Sequence, residues 1–183
     1  MLYIQKSVFQ SISLFMAKKD VRYYLSGIHL KTDGSRFIIE SSDGACLAFA
    51  SGIAVDCQPF EVIIPAITVN SALKLKPKNK IELLGISSDN IGYRDSMLSY
   101  KSEDGRFPDI KRVWKMESVQ ESTGLKIDPT FYSRIGDCAK FQKSDFNVWY
   151  MQDRLVFSAG QVHGLIMAMR VTGKPSIPQY EAI

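Results

Sequence analysis

Gly105-Arg106-Phe107-Pro108-Asp109-Ile110-Lys111-Arg112-Val113 decides the fold when it is read with two other segments, Asp20-Val21-Arg22-Tyr23-Tyr24-Leu25-Ser26-Gly27 upstream and Met167-Ala168-Met169-Arg170-Val171 downstream. No reaction needs the residues these segments carry. Asp104-Gly105, like Asp43-Gly44, is the chemistry of a turn between strands. Catalytic patterns are missing around them. No GxGxxG or GxxxxGK[ST] precedes a helix, and no GxSxG context supports a Ser-His-Asp nucleophile. His29 and His163 fall in strand-like runs with no Cys or carboxylate at metal-ligand spacing, so a structural role is expected for both. Neither catalysis, a metal nor a cofactor is expected.

Composition sets the outer bounds. With 183 residues, 45% hydrophobic and 23% charged, the chain can bury a sizeable core in one or two domains. Its longest apolar runs, Ala45 to Ala50 and Leu165 to Met169, fall far short of a bilayer span. Met1-Leu2-Tyr3-Ile4-Gln5-Lys6 lacks the pattern of a secretory signal, so a cytoplasmic location without membrane partners is expected. Cys46, Cys57 and Cys138 are widely spaced and read as small buried thiols.

A helix-then-strands pattern repeats along the chain. Val8, Phe9, Ile12, Phe15 and Met16 recur at helical spacing, followed by strand-like runs at Tyr24 to Thr32, Ser35 to Ser41 and Cys46 to Ala50. After a strand from Glu61 to Ile64, Pro65 is expected to open a helix to about Leu75, with strands at Ile81 to Ser87, Ile91 to Arg94 and Met97 to Lys101. Asp128-Pro129 reads as an N-cap followed by a first-turn proline, opening a helix to about Gln142. Strands at Asn147 to Gln152, Leu155 to Ala159 and Val162 to Val171 complete the third unit. Helix starts near Ser7, Ala66 and Asp128 lie 59 and then 62 residues apart, which points to stacked copies of one supersecondary unit. The expected class is α+β, with three units of one helix on an antiparallel sheet.

The net charge of +4 is mild, but its placement repeats with the units. Lys18, Lys19 and Arg22 follow the first helix, Lys74, Lys76, Lys78 and Lys80 the second, and Lys140 and Lys143 the third. The helix dipole alone favours cations there, without any nucleic acid. Units joined side by side would turn the repeated charge into a basic stripe.

The three opening segments, in this order and spacing, resemble signature segments of the bacterial sliding clamp, the β subunit of DNA polymerase III. Residues 6–113 resemble the middle of its three domains, including Ser42-Asp43-Gly44-Ala45-Cys46-Leu47-Ala48 where the family usually has Thr-Asp-Gly-His-Arg-Leu-Ala. Residues 128–171 resemble the second half of its last domain. The resemblance divides the chain into a complete clamp-type domain at 1–114, a linker at 115–127, a half-domain at 128–171 and a tail at 172–183.

The resemblance implies a non-enzymatic DNA sliding clamp that encircles duplex DNA and tethers polymerases or other clamp-binding proteins, with a clamp loader as a further partner. DNA contact falls to Arg22, Tyr23 and Tyr24 on a loop, and to Lys18, Lys19, Lys74, Lys76, Lys78 and Lys140 near the helix ends. A docking cleft for partner peptides falls to Leu25, Ser42, Gly44, Leu47, Pro108, Arg112, Val113, Leu165, Ile166, Met167, Met169 and Arg170. Ala45-Cys46 in place of His-Arg, and Ala168 in place of proline, depart from the family pattern there. Family rings of about twelve units would take four chains of three, joined head to tail. The alternatives are a clamp-like module that captures clamp-binding proteins without encircling DNA, and an assembly protein of the same fold. Gln10-Ser11-Ile12-Ser13-Leu14-Phe15 resembles a peptide that docks onto clamps, but Ile12 and Phe15 belong to the apolar face of the first helix.

Overall fold

The computed structural model describes residues 1–78, 82–114, 126–151 and 153–169. In chain order the elements are β1 (Leu2–Gln5), α1 (Lys6–Ser13), a 3-10 turn (Tyr23–Ser26), β2 (Gly27–Thr32), β3 (Arg36–Ser42), β4 (Cys46–Ile53), β5 (Phe60–Pro65), α2 (Ala66–Lys74), β6 (Leu83–Ile86), β7 (Asn90–Tyr93), β8 (Ser96–Ser99), α3 (Ile110–Val113), α4 (Pro129–Gln142), β9 (Phe146–Tyr150), β10 (Arg154–Ala159) and β11 (Val162–Met167). Most of the linker and all of the tail lie outside the described residues, as do Lys80 and Arg170.

Local chemistry explains the helix ends. Asp128 accepts a hydrogen bond from the Thr130 N–H at 2.8 Å, with Pro129 behind it at the first helical position, and α4 closes on Lys143 in the left-handed region. Pro65 stays extended, and Ala66, not Pro65, begins α2. The run expected as a strand from Tyr24 begins instead as a turn. Leu25 N–H bonds back to Arg22 O while Leu25 O accepts from Ala17 N–H, which drives the Leu25 side chain inward.

The sheets depart from three self-contained units. Two are formed: a four-stranded sheet in the order β1-β6-β7-β8 and a seven-stranded sheet in the order β5-β2-β3-β4-β11-β10-β9. The strand before each of the first two helices crosses to the neighbouring unit, so β1 pairs with β6 and β5 with β2. The third set of strands then extends the first sheet through β4 and β11. About one and a half clamp-type domains result, because a sheet edge left open is closed by whichever neighbour offers a strand.

One apolar core runs through both sheets and three helices. It takes Leu2 and Ile4 from β1, Phe9 and Ile12 from α1, Leu84 and Ile86 from β6, Ile135 and Cys138 from α4, and Leu155 and Phe157 from β10. Phe15 stacks on Phe157 with ring centroids 5.2 Å apart, and Gln142 Nε2 donates to Ser11 Oγ at 2.9 Å, fastening α4 to α1. Phe157→Ala should therefore destabilise the whole chain by about 3–5 kcal/mol. Urea unfolding should shift as one transition, whereas a separate early transition for residues 128–169 would show that the halves fold independently.

Candidate functional site

Leu25, Leu47 and Leu165 converge from the 3-10 turn, β4 and β11 on a second apolar cluster, with Ala17, Ile63, Phe107, Ile110 and Val156. Leu47 and Leu165 are direct partners across the β4–β11 ladder. All three leucines are buried, so they form a floor rather than an open slot. Ile166, one residue on, points to the opposite face of the strand and into the main core.

The exposed part of the predicted cleft lies around this floor. Val113, Met167 and Met169 are exposed at 36%, 37% and 47%. Arg154 ties two of them together: it pairs across from Met167 in the β10–β11 ladder and donates from Nη1 to Val113 O at 2.6 Å. Met167 N–H donates to Ala45 O and Met169 N–H to Lys126 O, which pins the strand end on both sides. Pro108 and Arg112 are at the surface, with Arg112 Nε 3.5 Å from Asp109 Oδ2.

Ser42 and Gly44 do structural work in the β3–β4 turn. Ser42 Oγ donates to Cys46 O and accepts from Gly44 N–H. Gly44 has φ +90°, and a Cβ there would lie 2.8 Å from Arg22 Nη2. Between them, Asp43 accepts from Ala45 N–H and Cys46 N–H on one oxygen and from Arg134 Nη1 at 2.7 Å on the other. Arg134 also lies 4.7 Å over the Phe131 ring. This pair, missed in the sequence, bolts α4 of the half-unit to the turn that walls the site.

Phe107, within the Gly105–Val113 segment, stacks on His29 at 4.9 Å with the rings 9° apart. His29 Nδ1 lies 2.7 Å from Glu40 Oε1 and Nε2 lies 3.1 Å from Glu61 Oε1, and Lys31 binds Glu61 at 2.6 Å. Lys31 and then His29 hold the Glu61 carboxyl below its ordinary range. Sequence spacing hides these carboxylates because they come from neighbouring strands; the signal is the ladder register, where His29 faces Glu40. A cavity of about 460 Å³ opens here, lined by His29, Glu61, Phe49, Pro108 and Trp114 among others. Among the described residues no group of His, Cys, Asp and Glu is placed to hold a metal ion.

The predicted DNA residues divide. Lys18, Lys19, Lys74 and Lys76 are exposed. Tyr23 projects at 71% exposure, while Tyr24 packs on the second apolar cluster and against Gly105. Arg22 is held by Asp20 through Nε at 2.9 Å and Nη2 at 2.7 Å, and this pairing draws the Asp20 carboxyl down to about 2. Lys78 is 3.9 Å from Asp95 and Lys140 is 2.9 Å from Asp137. Lys6, not singled out from the sequence, donates to Leu75 O at 2.7 Å and joins the start of α1 to the end of α2. Lys6, Lys140 and Lys143 line one cavity of about 530 Å³ beside α1 and α4.

The family described as DNA polymerase III beta subunit, central domain, matches residues 4–109. The chain belongs to the β sliding clamp family. That family is not one of enzymes. The beta sliding clamp of Salmonella typhimurium is 34% identical over 112 residues, and that of Escherichia coli K12 is 33% identical over 112. Each match covers 59% of this chain and 31% of the relative, so the chain spans about a third of the length of these clamps. Likeness of fold reaches further. The Bacillus subtilis sliding clamp superposes with a TM-score of 0.72 at 12% identity, covering 93% of this chain and 64% of that one. The Helicobacter pylori beta clamp bound to a DNA ligase peptide gives 0.71 at 11% identity, covering 93% and 66%. The clamp fold thus extends past residue 109.

Asp43→Ala removes a charged acceptor from a partly buried guanidinium and two turn amides together. It should cost about 2–4 kcal/mol, more than Arg134→Met, in chemical denaturation.

Proposed function

We propose that the chain is a DNA sliding clamp, a cytoplasmic processivity factor whose homo-oligomeric ring encircles duplex DNA and tethers polymerases or other clamp-binding proteins. The observation that carries this reading is the contact of α1 with both α2 and α4, which sets Lys6 at the start of α1 beside the basic ends of α2 and α4, with Lys18 and Lys19 beyond the other end of α1. Lys6, Lys74, Lys76, Lys140 and Lys143 then supply diffuse attraction to phosphates without reading bases. Tyr23 and Arg22 are the loop's contribution, and Arg22 must exchange Asp20 for phosphate to make its contact. Four chains would supply the twelve units expected of a ring, with a clamp loader to open it.

Partner peptides would dock where Val113, Met167 and Met169 are exposed above the leucine floor, with Arg112 placed to pair with a peptide carboxylate or carbonyl. Support comes from the family membership and from the Helicobacter pylori clamp, whose structure holds a ligase peptide.

Binding to a 30-base-pair duplex, followed by fluorescence anisotropy against salt, tests the DNA part. The slope of log affinity against log salt should fall by about three when Lys74, Lys76 and Lys140 are all replaced by Ala. Asp20→Asn should tighten binding several-fold by releasing Arg22. An unchanged slope in the triple variant would overturn the reading. Nicked circular DNA should retain the protein after a salt wash and linear DNA should lose it; equal loss from both would favour the binding module that does not encircle. A labelled Gln-Leu-x-Leu-Phe peptide should bind the chain and lose at least tenfold in affinity on Met169→Asp. Equal binding would remove the cleft.

A further inference from the structure

The segment that carries Pro108, Arg112 and Val113 leaves the four-stranded sheet after β8 and meets the seven-stranded one at Ile63 of β5, its edge strand. Ile63 donates its N–H to Ser102 Oγ at 2.9 Å and accepts the Glu103 N–H at 2.9 Å. In the ladders of β2, His29 stands opposite Ile63 on one side and opposite Glu40 on the other, so these side chains share a face. Beyond Glu103 the backbone lets go of the sheet. Among the described residues, no hydrogen bond joins 104–108 to it. Gly105 rests against Tyr24, and the contact with the sheet passes to a side chain, the buried Phe107 ring stacked on His29.

A stack holds a segment only as firmly as its lower ring is held. His29 is buried, and each of its nitrogens meets a carboxylate: Nδ1 lies 2.7 Å from Glu40 Oε1 and Nε2 lies 3.1 Å from Glu61 Oε1. Contacts at two separate ring edges fix the plane, because a turn about the bond to Cβ breaks both. The carboxylates are themselves held, Glu40 by burial and Glu61 by Lys31 at 2.6 Å. A leucine at this position would offer Phe107 apolar surface without a preferred plane. A cavity of about 460 Å³ is lined by both rings and by Pro108, so close packing does not hold the segment on that side.

We propose that His29 is a positioning residue for the peptide-docking rim: its ring, fixed in plane by Glu40 and Glu61, sets Phe107 and through it the placement of Pro108 and Arg112. The link is short. Pro108 follows Phe107 directly, and its own ring limits φ to about −65°, so the orientation passes on with little slack. Asp109 comes next and caps α3 by accepting the Lys111 N–H at 3.1 Å. Arg112 and Val113 ride on that short helix. The rim then has two footings, Phe107 on His29 before α3 and Val113 O on Arg154 at its end. A docking residue keeps its geometry when the residues behind it are locked, and here the lock is a charged pair of contacts on one buried ring. The inference rests on the peptide-docking part of the proposed function and does not depend on DNA contact.

Combining His29→Leu with Glu40→Leu in the full chain removes the ring and leaves no buried charge behind. The labelled Gln-Leu-x-Leu-Phe peptide should bind this double variant about fivefold more weakly, with duplex DNA affinity unchanged. The Arg112 and Trp114 amides, bonded to Asp109 O and Ile110 O, should exchange with deuterium about fivefold faster. His29→Phe with Glu40→Leu restores a ring and should recover most of both losses. Phe107→Leu removes the stack from its other side, leaves the carboxylate contacts intact and should reproduce the losses. Wild-type affinity and exchange in the variants without the stack, or no recovery in His29→Phe with Glu40→Leu, would overturn the positioning role. A wild type that does not bind the peptide would remove the cleft reading, and amide exchange alone would then decide the positioning role.

Discussion

The antiparallel pairing of β4 with β11 is the constraint on which the other features depend. Four register pairs, from His163–Phe49 to Ile166–Cys46, join a half-unit to a complete one through backbone alone. With that register set, Leu165 falls opposite Leu47, Met167 N–H reaches Ala45 O, and Arg134 reaches Asp43. A slip of one residue would turn Leu165 out and Gly164 in, and the leucine floor would vanish. Gly164 itself is required there, because a Cβ would strike Leu47 O and the Phe157 ring.

Helices and central strands were legible because their signals are local: the Val8, Phe9, Ile12, Phe15 stripe and the Asp128-Pro129 cap each act within a turn or two. What escaped is long-range. β1 shows its alternation over only four residues, and nothing nearby says that its partner is β6. Likewise the Glu40 and Glu61 partners of His29 are visible only once strand register is known. The division of Tyr23 from Tyr24 was also hidden, because a 3-10 turn rotates successive side chains by about 120° where a strand would alternate them. Val113, Met167 and Met169 are exposed, whereas Leu25, Leu47, Leu165 and Ile166, expected from the resemblance in the same cleft, are interior.

Charge and burial divide the surface by task. Lys74 and Lys140 sit in the last turns of α2 and α4, where the dipole favours a cation, and Lys140 pairs only with the exposed Asp137. Around the leucine floor, by contrast, cations are committed: Arg134 to Asp43 and Arg154 to Asp153. The first arrangement leaves charge adaptable, and the second makes a rigid wall.

The exchange of β1 into the β6 sheet has a consequence for how the chain is made. Leu2 must wait for Ile86, and Cys46 for Ile166, before their ladders can close. Contacts so distant in sequence slow folding, since loop closure comes before its reward. While the chain is being synthesised, the edges of β4 and β1 stay open and sticky until their partners emerge. Newly made copies are thus most at risk of mispairing with one another in the interval before residue 166 leaves the ribosome, and vectorial synthesis offers this topology little protection.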